Sequence, residues 1–301
     1  MTRFLLLMGE DCAGAGIRLK QALDAHPDHS ARAICTRPNS IGYPTDIVKP
    51  SISTYHRIYE WADAFVIYDA WPRAEILKLG KPIACIYNGT IYRSRWDRFN
   101  REDSENGIAS FGTTLDLCHH GLAWMPVPMA PMKQSPKSKD VFRVCHTPSS
   151  RKRKRTTAVE AALSGMDGVE LDVIAGVTNS EAVSKKAGAH LYVDQFRAGY
   201  GVSALEAWAL GMPVMSGTQP LQAGPRAKKP PSREEILAQF EKNAGGLPFY
   251  DVTPETLRDA VKAFARDDDL YHHWLSRGVQ FVDKFHSPEA VVERLVEGLD
   301  L

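Results

Sequence analysis

The stretch Asp194 to Gly217, DQFRAGYGVSALEAWALGMPVMSG, holds the residue types best suited to chemistry. Gly199, Tyr200 and Gly201 form a glycine-rich turn directly before a segment with helical spacing. The first N–H groups of a helix have no partner within it, and the helix dipole adds positive charge there. Such a start suits a diphosphate. Glu206 stands about one turn further in. A carboxylate there can accept hydrogen bonds from ribose hydroxyls. The same spacing also fits a surface glutamate on an ordinary packed helix. A second chemical element is Arg151 to Arg155, five consecutive basic residues. From Lys133 to Arg155 nine Lys or Arg stand against Asp140 alone, and Lys228 and Lys229 follow later. Such a run reads as a solvated loop, a phosphate cradle or a contact to a nucleic-acid backbone. Few aromatic residues interleave with it, which disfavours stacking on single-stranded bases.

Asp69 ends the apolar run Ala64 to Tyr68, and Asp97 and Asp103 lie in a polar stretch that reads as a loop. Parallel sheets present functional groups at the C-terminal ends of their strands. Each of these carboxylates is therefore a candidate base or hydroxyl partner, with a cap or turn role as the alternative. Gly14-Ala15-Gly16 invites a dinucleotide reading. Leu19 stands where the third glycine belongs, and Cys35-Thr36-Arg37 where an acidic residue belongs, so a nicotinamide enzyme is disfavoured. The pairs His119-His120 and His272-His273 are adjacent in sequence, so their rings diverge and a shared metal is not expected.

These residues need a frame that alternates strands and helices. Phe4 to Met8, Ala31 to Cys35, Ala64 to Tyr68 and Ile83 to Tyr87 read as strands. Ile17 to Ala25, Tyr55 to Trp61 and Glu75 to Leu79 read as helices between them. Pro126 to Ser138, with four prolines, reads as a linker. Alternation then resumes, with strands at Val141 to Cys145, Val169 to Ile174, Leu191 to Val193 and Val214 to Met215. Helices are expected at Thr156 to Leu163, Ser180 to Ala187, Ala204 to Leu210, Glu234 to Lys242, Pro254 to Arg266 and Leu270 to Phe285. Pro288 to Leu299 is amphipathic and ends the chain. The pattern is α/β with parallel sheets. No repeat with a period of roughly 20 to 50 residues is present.

The 301 residues suit two domains, and 44% apolar against 24% charged residues is enough to bury a core in each. A formal charge of +1 favours neither a membrane surface nor nucleic acid. The five cysteines are odd in number and widely spaced, which fits a reducing cytoplasm and neither disulfides nor zinc. No run approaches the roughly 20 apolar residues of a membrane span.

Tyr200 to Val214 resembles the donor-site signature of family 4 glycosyltransferases, which have the GT-B fold. The family pattern is Glu-x7-Glu running into Ala-x-Ala-x-Gly-x-Pro-Val. Glu206 matches the second Glu, and Ala198 stands at the first. His146 to Ser150 with Lys154-Arg155-Thr156, Trp124 to Pro128, Tyr87 to Arg93 and Phe285 to Glu289 resemble further family segments in the same order. Asn88 occupies the place of a family His.

The resemblance implies two Rossmann-like domains facing each other across a cleft. Residues 1–132 would be the acceptor side, 133–285 the nucleotide-sugar side, and 286–301 a helix returning to the first domain. It implies transfer of a hexose-type sugar from a nucleotide sugar, UDP-linked, with retention. The acceptor is a glycan or small molecule, with a modified base in DNA as an alternative. Glu206 would hold the ribose. Gly199, Tyr200, Gly201, Lys154, Arg151 and Arg153 would face the diphosphate, with Asp194 standing in for the missing acid. Gly14 and Gly16 would line the donor side of the first domain. Asn88 and Asp69 would be catalytic, and Arg93 and Tyr92 would meet the acceptor. The nucleotide sugar is a co-substrate, with no permanent cofactor and no metal required. The chain would be cytoplasmic, a monomer or homodimer. Replacing Glu206 by Ala should weaken nucleotide binding without unfolding the protein. A catalytically degenerate binding protein and a sugar-nucleotide epimerase are the alternatives.

Overall fold

A computed structural model describes residues 1–137, 140–221 and 230–301. The chain divides into two compact units. One is built on Met1–Pro128 and His286–Leu301, the other on Met129–Gln222 and Pro231–Phe285.

In the first unit the strands are β1 (Thr2–Met8), β2 (His29–Cys35), β3 (Ile47–Val48), β4 (Ala64–Tyr68), β5 (Ile83–Tyr87), β6 (Ala109–Gly112) and β7 (Ala123–Trp124). They form one parallel sheet in the order β3-β2-β1-β4-β5-β6-β7. Its helices are α1 (Ala15–Ala25), α2 (Ile52–Trp61), α3 (Ala74–Leu77), α4 (Thr90–Glu105) and α5 (Leu115–Cys118). Phe4 to Met8, Ala64 to Tyr68 and Ile83 to Tyr87 are buried along their whole length. Continuous apolar runs of this kind belong to strands covered on both faces. The strand order reverses between β1 and β4. A crevice for ligands forms at the carboxyl ends of the strands at such a point.

In the second unit the strands are β8 (Phe142–His146), β9 (Val169–Val173), β10 (Leu191–Val193), β11 (Val214–Ser216) and β12 (Tyr250–Asp251). They too are parallel, in the order β12-β11-β10-β8-β9, and reverse between β8 and β10. The edge strand β9 alternates exposed Glu170 and Asp172 with half-buried apolar residues, as a solvated edge requires. The helices are α6 (Thr156–Leu163), α7 (Asn179–Lys186), α8 (Val202–Ala209), α9 (Arg233–Ala244), α10 (Leu257–Phe264) and α11 (Asp268–Phe281). Thr178 with Glu181 and Ser232 with Glu235 form capping boxes that start α7 and α9.

Two local expectations change. Asp97 and Asp103 lie in a sixteen-residue helix, α4, broken by a kink at Arg95. Its charged residues obscured the helical period. The helix expected through Phe285 ends at Phe281 and passes into a single π-helical turn, Val282–His286. Residues 222–229 of the expected Gly217 to Arg233 loop, including Lys228 and Lys229, lie outside the described residues. All five cysteines are free thiols, and only Cys12 is exposed. No helix among the described residues is long and apolar enough to cross a membrane.

The chain returns to the first unit through α12 (Pro288–Gly298), which packs beside α1. Ser287 caps it, Pro288 occupies its first turn, and Val291, Val292 and Leu295 are buried. Arg294 donates to the Trp124 carbonyl at 3.0 Å. Buried His286 donates through Nδ1 to the Val127 carbonyl at 2.8 Å. Burial holds the imidazole neutral and pulls its pKa down to about 4. In the unfolded chain the same group titrates near 6.5. Above that value the contribution is fully present. It is lost as pH falls from about 6.5 towards 4, because only the unfolded chain takes up the proton. At pH 5 this amounts to about 2 kcal/mol. His286→Asn keeps a donor for Val127 and removes the titration. Urea unfolding at pH 7 and pH 5 should show a smaller acid loss in the variant. Equal losses in both proteins would refute this account.

Candidate functional site

The loops at the strand-order reversal of the second unit gather most of the chemistry. After β8, the chain runs through Thr147 to Arg155 before α6 begins, and Arg155 adopts a left-handed backbone, φ +51°. His146 anchors this loop from beneath. It is fully buried, donates from Nδ1 to the Val193 carbonyl at 2.8 Å and meets Thr156 Oγ1 through Nε2 at 3.0 Å. Burial lowers its pKa, so it stays neutral and keeps both roles.

After β10, Asp194 to Gly201 turn into α8. Ala198 and Gly199 both have positive φ, +57° and +83°. A Cβ on Gly199 would stand 2.7 Å from Phe240 Cζ, so both the backbone angle and the space select glycine. Ala198 carries the same kind of conformation without that freedom, and strained backbone of this sort clusters at ligand clamps.

Asp194 has no exposure to solvent. Its Oδ2 accepts the Gly201 N–H at 2.7 Å, and its Oδ1 accepts the Lys154 ammonium and the Tyr192 hydroxyl. The Lys154 ammonium lies against Gly201, where a Cβ would stand 3.4 Å from it. One internal carboxylate therefore holds two of the donors that the sequence pattern assigns to a diphosphate.

Glu206 is 1% exposed, not a surface residue. Its Oε2 accepts from Lys186 Nζ at 2.9 Å and its Oε1 from Asn179 Nδ2 at 2.8 Å. Lys186 is itself fully buried and also donates to the Ser203 carbonyl and hydroxyl, each at 3.0 Å. From there hydroxyls connect Ser203 to Thr147 and Thr147 to Tyr192, which reaches Asp194. The ends set the direction. Lysine can only donate and a carboxylate only accept, so each hydroxyl donates onward from Lys186 to Asp194. Lys186, Asn179, Thr147, Tyr192 and Ser203 were not legible as site residues. Lys186, for example, stands in a Lys-Lys pair at a helix end that reads as solvated surface.

Tyr200 is 6% exposed, and its ring packs edge-on or tilted against Trp208, Phe240, Phe249 and Phe281. Its side chain serves the core, leaving only the backbone for a ligand. Arg151 forms a forked ion pair with Glu160, Arg155 lies over Phe196, and Arg153 is exposed. Three of the five consecutive basic side chains thus have internal partners, counting Lys154.

In the first unit, Gly14 begins α1 with φ +72°, and Tyr43 fills the space a side chain would need. Asp11 closes this helix start. Its buried carboxylate accepts the N–H groups of Gly16 at 2.7 Å and Ile17 at 2.9 Å. The donor expected from Gly16 for a ligand phosphate is therefore already satisfied by the protein. Asp69, at the end of β4, has φ +53° and accepts the Asn88 N–H at 3.0 Å and its side-chain amide at 3.2 Å. Burial raises the Asp69 pKa, partly opposed by the bonds from Asn88. Arg93 grips Asp116 through two bonds, 2.7 and 3.0 Å, and lies against Gly89. Tyr92, expected to face an acceptor, is fully buried. It packs on Tyr87 and Phe99 and donates to Asn100 at 2.7 Å, so it is a core residue.

With this geometry described, likeness to known proteins can be stated. No family model matches the chain, and no curated protein matches its sequence. Solved structures do match its fold. Anabaena HepE in complex with UDP-glucose aligns with TM-score 0.62 and 12% identity over all of both chains. CalG4, the calicheamicin glycosyltransferase, aligns with TM-score 0.51 and 11% identity over 100% of this chain and 99% of its own. A Listeria monocytogenes protein assigned as a UDP-N-acetylglucosamine 2-epimerase aligns with TM-score 0.54 and 10% identity, covering 98% and 95%.

Buried Lys186 loses its counter-charge if Glu206 is truncated, which changes the expectation for that variant. Glu206→Ala should destabilise the protein by about 3–5 kcal/mol. Glu206→Gln, which keeps an acceptor, should cost less. Urea denaturation midpoints test this, and a wild-type midpoint for Glu206→Ala would show the pair to be unimportant. Together these comparisons show that the chain has the GT-B fold, two Rossmann-like α/β units in one polypeptide.

Proposed function

We propose that this protein is a glycosyltransferase that moves a sugar from a UDP-sugar to an acceptor hydroxyl. The second unit would hold the donor and the first the acceptor. One observation carries the reading. At the carboxyl ends of β8 and β10, Lys154, the start of α8 and Glu206 belong to a single hydrogen-bonded chain. The fold is shared with proteins solved with UDP or UDP-glucose.

In this proposal the bond that breaks joins the anomeric carbon to the diphosphate. The new bond joins that carbon to the acceptor oxygen. The leaving UDP gains negative charge, which the cation of Lys154 and the dipole of α8 would stabilise most where charge develops. Ribose hydroxyls would take over the Asn179 amide's place on Glu206, whose two oxygens have lone pairs to share. Asp69, with its pKa raised by burial, would bind or deprotonate the acceptor hydroxyl, held in place by Asn88. Arg93 would orient the acceptor beside it. Retention rests on the family resemblance alone. The internal partners of Arg151 and Arg155, with Lys154 given to the donor, support a glycan or small molecule over DNA as acceptor, because fewer of these cations are left to track phosphates.

An epimerase is the second reading. Ala198 stands where the family places an acid, and an epimerase-assigned protein shares the fold. Product analysis separates the two, since an epimerase would yield an epimer or free sugar and no glycoside.

Calorimetric titration with UDP, GDP, ADP and uridine tests the donor side. UDP should bind more tightly than the other diphosphates. Lys154→Met should weaken UDP about tenfold or more and leave uridine unchanged, as expected for a lost charge-assisted bond. Absence of binding by every nucleoside diphosphate would overturn the proposal.

A further inference from the structure

Asp194 occupies an unusual position for a protein that must attract a diphosphate. It is a fully buried anion at the start of α8, and it takes both the Gly201 N–H and the Lys154 ammonium. The arrangement is built and not incidental. Tyr192, itself buried, adds a third donor to the same carboxylate. The ammonium lies against Gly201, 3.4 Å from where a Cβ would stand. The two partners differ in freedom. Asp194 is sealed on the sheet end, whereas Lys154 stands on the loop after β8 with its side chain 12% exposed.

We infer that Asp194 is a positioning residue which stores the Lys154 ammonium at the start of α8 and yields it to the donor's diphosphate. This rests on reading the second unit as the donor side. The Gly201 N–H stays with Asp194 throughout, so the turn leading into α8 keeps its anchor in both states. Lys154 alone changes partner. In the free protein the carboxylate neutralises the cation and orders the loop. With donor bound, the diphosphate supplies the counter-charge and Asp194 becomes a nearby anion that weakens its hold. That makes Asp194 a brake on affinity for the diphosphate and for the UDP product. Nothing in this exchange involves the uridine end of the ligand, which meets the Glu206 end of the chain. The effect should therefore appear only in ligands that carry phosphate.

The test is the ratio of uridine to UDP dissociation constants, measured by calorimetry on the full chain. Asp194→Asn keeps an acceptor for the Gly201 N–H and removes the charge. It should raise the ratio about fivefold, the scale of one partly exposed charge interaction. Uridine affinity should not change. The gain should vanish in the Lys154→Met background, since no stored cation remains to be released. Asp194→Ser, whose hydroxyl is an uncharged acceptor for the Gly201 N–H, is the second variant should Asn disturb the fold. A ratio unchanged or lowered by both variants, with Lys154→Met still abolishing the preference for UDP, would overturn this inference and leave the donor site standing. A wild-type protein that binds UDP no better than uridine would overturn the donor reading and this inference with it. A purely structural role for Asp194 would move uridine and UDP together and is excluded by a change confined to UDP.

Discussion

A carboxylate with no access to water must be paid for by its partners, and Asp194 has three of them. An isolated buried charge of this kind would cost many kcal/mol. The N–H of Gly201, the ammonium of Lys154 and the hydroxyl of Tyr192 remove that cost together. Each belongs to a different segment: the glycine turn, the basic loop and the end of β10. Satisfying one anion therefore places three pieces of chain around the start of α8. The hydroxyls of Thr147 and Ser203 extend the constraint to the fully buried Lys186, and through it to Glu206. With a pure donor at one end and a pure acceptor at the other, the chain has one consistent direction. Polar networks with all members satisfied rigidify the structure around them.

The two units use the same device with different consequences. In the first, Asp11 accepts two N–H groups at the start of α1, and Tyr43 covers Gly14. The helix dipole is spent internally, and this glycine loop serves the fold. In the second, Asp194 accepts one N–H group and shares its charge with a lysine on a partly exposed loop. The second arrangement leaves the paired cation partly open to solvent. On the proposed reading an anionic ligand would be better served by the second unit than by the first, although both present glycine-rich turns after a strand.

On the proposed reading, the burial of Glu206 with Lys186 ties binding to stability. A pair with no water access holds its geometry tightly, which is what the proposed ribose contact would need. The same burial means that either residue, left alone, is an uncompensated charge. Loss of binding in a variant of this pair is then inseparable from loss of stability unless both are measured. The strained backbone at Ala198, Asp69 and Arg155 follows the same pattern, since all three lie in loops at the strand-order reversals.

The alternation of apolar strands and amphipathic helices, read from residues such as Phe4 to Met8 and Val291 to Leu295, determined the α/β class with parallel sheets. Burial on both faces leaves a continuous apolar run that survives in one dimension. The Gly199–Gly201 turn before a helix was also legible, because helix starts and special backbone angles impose local residue choices. Tertiary structure alone decided which of these groups are free to act. Lys186 looks like any lysine at a helix end until α7 and α8 bury it against Glu206. Tyr92 and Tyr200 look like ligand-facing aromatics until their rings are seen inside the core. Asp11 and Asp194 are separated by five and seven residues from the N–H groups they first reach, and Asp194 by forty from Lys154. Spacing along a chain can name the groups that suit a chemistry. Which donor meets which acceptor depends on where loops from different strands converge, and only the folded sheet brings those loops together.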